Sequence, residues 1–123
     1  MLALVIDDSR TARLVIGNML RELGMEVLSA ANGVEGLAQL DRNPDVELIL
    51  LDWNMPEMNG LDFLKTVRSR EAYRHIRILM ATSEAHTNQV NEALCAGASE
   101  YLMKPFNKDI LVAKLNLLDV IPE

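Results

Sequence analysis

The sequence predicts an α/β fold in which a five-stranded parallel sheet is doubly wound and covered by helices on both faces. Three observations predict it. Short apolar runs alternate with helix-period segments five times along the 123 residues. The runs are continuously apolar rather than alternating, which suits strands buried on both sides. Strands separated by helices need crossover connections, and crossovers make neighbouring strands parallel.

The elements follow in order. Leu2 to Ile6 reads as a buried strand. Ala12, Ile16, Leu20 and Leu23 then recur at helical spacing, with Asp8 or Ser9 as a cap and Gly24 as a stop. Glu26 to Ala30 is a second, weaker strand, and Val34 to Leu40 a short helix ended before Pro44. Leu48 to Leu51 is the most apolar strand. Asp62 to Arg70 is a helix with Phe63, Leu64 and Val67 inward. Ile76 to Ala81 is a fourth strand, and His86 to Ala96 a helix stopped by Gly97. Glu100 to Met103 is a short fifth strand, and Asp109 to Leu118 closes as a helix. For five such units the leading arrangement is the flavodoxin-like (βα)5 order 2-1-3-4-5, an order that rests on analogy.

Length and composition bound the function. A chain of 123 residues suits one domain spanning 1–123, and 50% hydrophobic content is enough for a core. Twelve Lys plus Arg against eighteen Asp plus Glu give a net charge of −6, which repels nucleic-acid phosphates and anionic membranes. No apolar run approaches the ~18 residues that a membrane span needs. The N-terminal residues lack the pattern of a signal peptide, and one cysteine, Cys95, cannot form an internal disulfide. These features predict a cytoplasmic protein with no direct nucleic-acid or membrane partner.

The functional expectation starts from the strand exits. Open parallel sheets bind ligands beyond the carboxyl ends of their strands, near the switch point. Strand one exits into Asp7-Asp8, strand three into Asp52, strand four into Thr82-Ser83, and strand five into Lys104-Pro105. Three carboxylates brought together repel one another and raise one another's pKa values. A hard divalent cation relieves that repulsion, and oxygen-only ligands favour Mg²⁺ or Mn²⁺ over zinc. One carboxylate then remains as a nucleophile toward phosphorus, while Lys104 and Thr82 meet the developing charge. Taken singly, each of these residues is more often a cap, a loop carboxylate or a solvated charge. Their occurrence together, at successive strand exits, singles them out.

Asp7-Asp8, the segment Leu51-Asp-Trp-Asn-Met-Pro-Glu-Met-Asn-Gly60, Ala81-Thr82-Ser83, and Gly97-Ala-Ser-Glu-Tyr-Leu-Met-Lys-Pro-Phe106 resemble the receiver domain of two-component response regulators. The resemblance covers essentially the whole chain. It implies that Asp52 is the phospho-acceptor, supplied by a sensor histidine kinase or a phosphotransfer protein. It implies that Asp8 and Asp52 bind Mg²⁺ through their side chains, Asp7 through water, and Asn54 through its backbone carbonyl. Thr82 and Lys104 would each bond a phosphoryl oxygen. Pro56 and Gly60 would shape the loop after strand three, and the Lys104–Pro105 bond would be cis. Tyr101 matches an aromatic switch position that turns inward when Thr82 moves. Asn54 and Glu84 match positions that flank the hydrolytic water, a pair seen in fast-resetting chemotaxis regulators. Ser83 departs from the smaller Ala or Gly common there, which would narrow access to Asp52. Output would run through the face built from the fourth helix, fifth strand and fifth helix to a downstream protein. The chain would be a monomer or a weak, phosphorylation-dependent dimer, and not an enzyme beyond its own phosphorylation and dephosphorylation.

Rival readings fit less well. A haloacid-dehalogenase-type enzyme needs a general acid two residues after its nucleophile, where this chain has Asn54. A flavodoxin-like FMN carrier needs a phosphate cradle where Asp7-Asp8 stand. A receiver-shaped module that is never phosphorylated would not need the complete set. Among other residues, His75 and His86 read as solvated, Cys95 as an inert residue facing a helix interior or interface, and the seven Met as packing. On the closing helix, Leu111, Leu115 and Leu118 form a core stripe. Ile110, Ala113 and Leu117 form a second stripe, either packed under neighbouring elements or exposed for docking.

Overall fold

The five apolar runs become five strands in this computed structural model, which describes residues 1–53, 55, 58–82 and 87–120, with residues 87–89 as backbone only. They are β1 (Leu2–Ile6), β2 (Glu26–Ala30), β3 (Val46–Asp52), β4 (Arg77–Thr82) and β5 (Glu100–Met103). All pair in parallel, in the order β2-β1-β3-β4-β5. The crossovers carry helices α1 (Arg10–Glu22), α2 (Gly33–Arg42), α3 (Gly60–Ser69), α4 (Thr87–Cys95) and α5 (Lys108–Leu117). A short 3₁₀ turn, Glu71–Tyr73, leads into β4 and had no sequence signal. His86 lies outside the described residues.

Side-chain alternation along each strand builds two cores. Leu4, Ile6, Ile49, Leu51, Ile78 and Met80 point to one face and meet Leu40 of α2, Phe63, Leu64 and Val67 of α3, and Ala93 of α4. Ala3, Val5, Leu48, Leu50, Leu79 and Leu102 point to the other and meet Ile16 and Leu20 of α1 and Leu111 and Leu115 of α5. The weakly apolar β2 is an edge strand with only Ala30 buried, which explains its faint pattern.

Helix ends are fixed by short polar side chains. Ser9, Asn32, Asn59 and Asn107 each accept a hydrogen bond from a first-turn N–H of α1, α2, α3 and α5. Gly24 and Gly97, the expected stops after α1 and α4, adopt φ of 87° and 110°, which side chains other than glycine rarely tolerate.

Two expectations are corrected or resolved. Cys95 is exposed, not turned to an interior. Ala93 takes the inward position of α4, and a residue two places on points away from it. On α5, Leu111 and Leu115 are buried, whereas Ile110 and Leu117 remain 44% and 69% exposed, so the second stripe is not core.

Arg68 closes the end of the sheet away from the strand exits. Its guanidinium donates to the carbonyls of Gly97, Tyr73 and Arg74 and to Ser99 Oγ, tying α3 to the turn before β5. Burial, aided by the charge of Arg77, pulls its pKa below the ordinary arginine value. Arg68→Met keeps the stem and strands these acceptors. We expect it to lower the urea midpoint with an unchanged slope, a loss of about 1–3 kcal/mol.

Candidate functional site

The register aligns four strand ends along one edge. Ile6 lies opposite Leu51, Asp52 opposite Ala81, and Thr82 opposite Met103. The residues at or just beyond those ends are therefore delivered to one place.

Asp7 follows β1 and is 2% exposed, while Asp8 faces solvent. Asp7 Oδ1 accepts from the Ser9 N–H at 2.9 Å, and its Oδ2 accepts from Lys104 Nζ at 2.6 Å. Asp52 closes β3 and is 8% exposed. Its Oδ1 accepts from the same ammonium at 3.2 Å. The Lys104 N–H donates to the Thr82 carbonyl at 2.8 Å, so the lysine hangs from the end of β4. The Lys104–Pro105 peptide is cis. Thr82, buried at the end of β4, borders the same edge. Gly60 starts α3 against Asp52, and a Cβ at that position would collide with the Asp52 carbonyl.

The charges are unbalanced. Asp7, Asp8 and Asp52 each offer a carboxylate oxygen, and these oxygens lie within 4.8 Å of one another. Lys104 is the cation that bonds two of them. Burial pushes the Asp52 carboxyl up from 3.8 to about 6, against the lowering effect of Lys104 and with help from Asp7 and Asp8. Burial works to lower the Lys104 pKa, but its hydrogen bonds and charge contacts with Asp7 and Asp52 outweigh it and hold the ammonium above its ordinary value. Clustered oxygen donors with residual negative charge suit a hard divalent cation.

The structure thus brings together Asp7, Asp8, Asp52 and Lys104, with Thr82 alongside. Tyr101 sits further along β5, half-buried, with Lys114 Nζ 4.1 Å from its ring centroid. Asn54, Pro56, Ser83 and Glu84 lie outside the described residues.

A family model for the response regulator receiver domain matches residues 3–116. The chain belongs to this family. The chemotaxis protein CheY1 of Helicobacter pylori is 47% identical over 116 residues, which cover 94% of each chain. A chemotaxis protein CheY homolog of Campylobacter jejuni is 46% identical over 113 residues, 91% of this chain and 87% of that protein. Among solved structures, chemotaxis protein CheY4 of Vibrio cholerae superposes with a TM-score of 0.88 at 36% identity, covering 94% of this chain and 96% of that one. The receiver fold and its two-component, chemotaxis-type kinship are thereby established.

This receiver also contains a site contact that the sequence did not reveal. Arg13, on the second turn of α1, donates to the Asp7 carbonyl at 2.6 Å and pins the loop that carries Asp7 and Asp8. An arginine one helical turn inside a cap has no distinguishing sequence signal, since most such residues are solvated.

The Asp52 shift has a consequence for stability. Its pKa is raised on folding, so the folded chain holds the proton more tightly than the unfolded chain. Below about pH 4 both states are protonated and the folded state keeps its full advantage. Between about 4 and 6 the unfolded chain ionises first and stability falls, by at most about 3 kcal/mol above pH 6. Without divalent cations, Asp52→Asn is expected to be more stable than the wild type by about 1–3 kcal/mol at neutral pH. The two should converge below about pH 4 in urea titrations.

Among the described residues no helix is long and apolar enough to cross a membrane.

Proposed function

We propose that residues 1–123 form one phosphorelay receiver in which Asp52 accepts a phosphoryl group from the phosphohistidine of a sensor histidine kinase or phosphotransfer protein. The observation that carries this reading is the Lys104 ammonium shared between Asp7 and Asp52, with Asp8 close by, at the strand-exit edge. An Asp52 carboxylate oxygen attacks phosphorus, and the P–N bond to the imidazole breaks with its electron pair staying on nitrogen. Lys104 follows the negative charge from the carboxylate to a phosphoryl oxygen, and the Thr82 hydroxyl donates to another. Asp8 and Asp52 through their side chains, Asp7 through water and the Asn54 carbonyl would hold one Mg²⁺, with Mn²⁺ as a substitute. Bound there, the ion supplies charge neutralisation for the phosphoryl oxygens. Reset is hydrolytic: water attacks phosphorus, the P–O bond to Asp52 breaks, and the carboxylate returns. By the family resemblance, Asn54 and Glu84 would flank that water, and both are polar residues that would not block it.

Output follows from two states of one face. Thr82 moves toward the phosphoryl group, Tyr101 turns inward behind it, and the α4–β5–α5 face changes. Ile110 and Leu117, exposed on α5, then dock a downstream protein, or a second copy in a weak phosphorylation-dependent dimer. The similarity to chemotaxis proteins supports a motility pathway.

Acetyl phosphate with Mg²⁺ should label the wild type, and Asp52→Asn should reduce labelling at least about 100-fold, read by intact mass and phosphate release. Labelling of Asp52→Asn at the wild-type rate overturns the acceptor assignment. The docking stripe has its own test in Leu117→Glu. That variant should stay within about 0.5 kcal/mol of wild-type stability and label normally, because Leu117 is a surface residue. In cells that depend on this protein for chemotaxis, it should abolish expansion of the swarm ring. If Leu117→Glu restores a full ring, the signalling face lies elsewhere.

A further inference from the structure

Lys114 plays no part in the proposed phosphotransfer, yet it lies over the ring on which the proposed switch turns. Its ammonium lies 4.1 Å from the Tyr101 ring centroid and 3.6 Å from Glu100 Oε1. The same Glu100 oxygen accepts the Tyr101 backbone N–H at 3.0 Å. One carboxylate thus grips the backbone of Tyr101 and the cation over its ring. This differs from the other α5 lysine pair. Lys108 and Glu22 are 45% and 62% exposed, the setting in which an ion pair contributes little. Lys114 and Glu100 are only 20% and 24% exposed, and β5 fixes Glu100 in place.

Placement on the sheet explains the geometry. Leu102 points to the α1/α5 face, so Glu100 shares that face by strand alternation and Tyr101 points to the other. β5 is an edge strand, and Lys114 reaches past that edge to meet the ring. A cation–π contact requires the ring face to stay within about 6 Å of the charge. The Asp52 carboxylate is paired directly with Lys104, the arrangement of the unmodified acceptor. In that arrangement Tyr101 is half-buried under Lys114. An inward turn that carries the ring beyond that distance would remove the cation–π contact and leave Lys114 with Glu100. A contact present in one state and absent in the other biases the equilibrium between them.

We propose that Lys114 is a positioning residue, a latch that holds the Tyr101 ring in its unphosphorylated position and that activation must release. The proposal rests on Tyr101 being the switch residue of the reading above. Its test uses beryllofluoride with Mg²⁺, which forms an acyl-phosphate mimic on a carboxylate, and follows the Tyr101 ring by NMR of ¹³C-tyrosine-labelled protein. In Lys114→Met, which keeps the aliphatic stem and loses the charge, the beryllofluoride midpoint should fall about two- to five-fold, the range of a cation–π contact of this exposure. Lys114→Arg keeps the cation and should stay within about two-fold of the wild type. If Lys114→Met does not fold, Glu100→Gln, which frees the lysine, should move the midpoint in the same direction. An unchanged or raised midpoint in the charge-removing variant, while the wild-type ring resonances move normally, overturns the latch alone. So does a Lys114→Arg shift as large as that of Lys114→Met. Wild-type Tyr101 resonances that stay fixed at saturating beryllofluoride overturn the switch reading and the latch with it.

Discussion

The rest of the structure depends on a charge deficit at the strand exits. Asp7 and Asp52 are 2% and 8% exposed and share the Lys104 ammonium, and Asp8 adds a third carboxylate from the solvent side. Burying carboxylates is unfavourable unless each finds a charge or donor. Here Asp7 takes the shorter lysine bond and a backbone N–H, leaving Asp52 with the longer bond and a pKa near 6. The less satisfied carboxylate is the one at the end of the most apolar strand. Under the proposed function, reactivity and incomplete compensation coincide on one residue.

A parallel sheet of this order assembles the site from distant parts of the sequence. Lys104 and Asp7 are 97 positions apart in sequence, and Lys104 and Asp52 are 52 apart, yet both pairs are in hydrogen-bond contact. The order places β1 beside β3 and β4 between β3 and β5, so carboxylates and lysine converge from neighbouring crossovers. The cost is local instability at the exit edge, offset by two apolar layers on either side of the sheet. That division lets a site carry unbalanced charge without unfolding the domain.

The same division explains what the sequence made legible. Strand-exit residues were readable because a strand's end is marked by the first polar residue after an apolar run, as at Asp7, Asp52 and Lys104. The cores were readable because Phe63, Leu64, Val67, Leu111 and Leu115 repeat at helical spacing. Asn32, Asn59 and Asn107 carry the same local capping signal as Ser9, a short polar side chain just before an apolar helical run. Lateral contacts left no such trace. Arg13 on the Asp7 carbonyl, Arg68 on three carbonyls and Lys114 on Tyr101 are long, flexible cations whose sequence surroundings match those of solvated residues. The outward placement of Cys95 is hidden in the sequence for a related reason. A short helix in which Ala93 is the one buried side chain among the described residues 90–95 has too weak a stripe to orient its neighbours.

The closing helix gathers these threads. Going round α5, the core stripe of Leu111 and Leu115 and the exposed stripe of Ile110 and Leu117 are separated by about a third of a turn, and Lys114 falls between them. The helix therefore presents three surfaces to three tasks: apolar burial on one side, an exposed apolar strip on another, and a cation over Tyr101 at the seam. Under the proposed function, release of the Tyr101 ring uncovers the Lys114 ammonium, still beside Glu100, next to the strip where a target would dock. A ligand shifts an equilibrium only through contacts that differ between its two states. Under that reading Lys114 would supply such a difference at the docking surface itself, so no long relay from Asp52 to the target would be needed beyond the single turn of one aromatic ring.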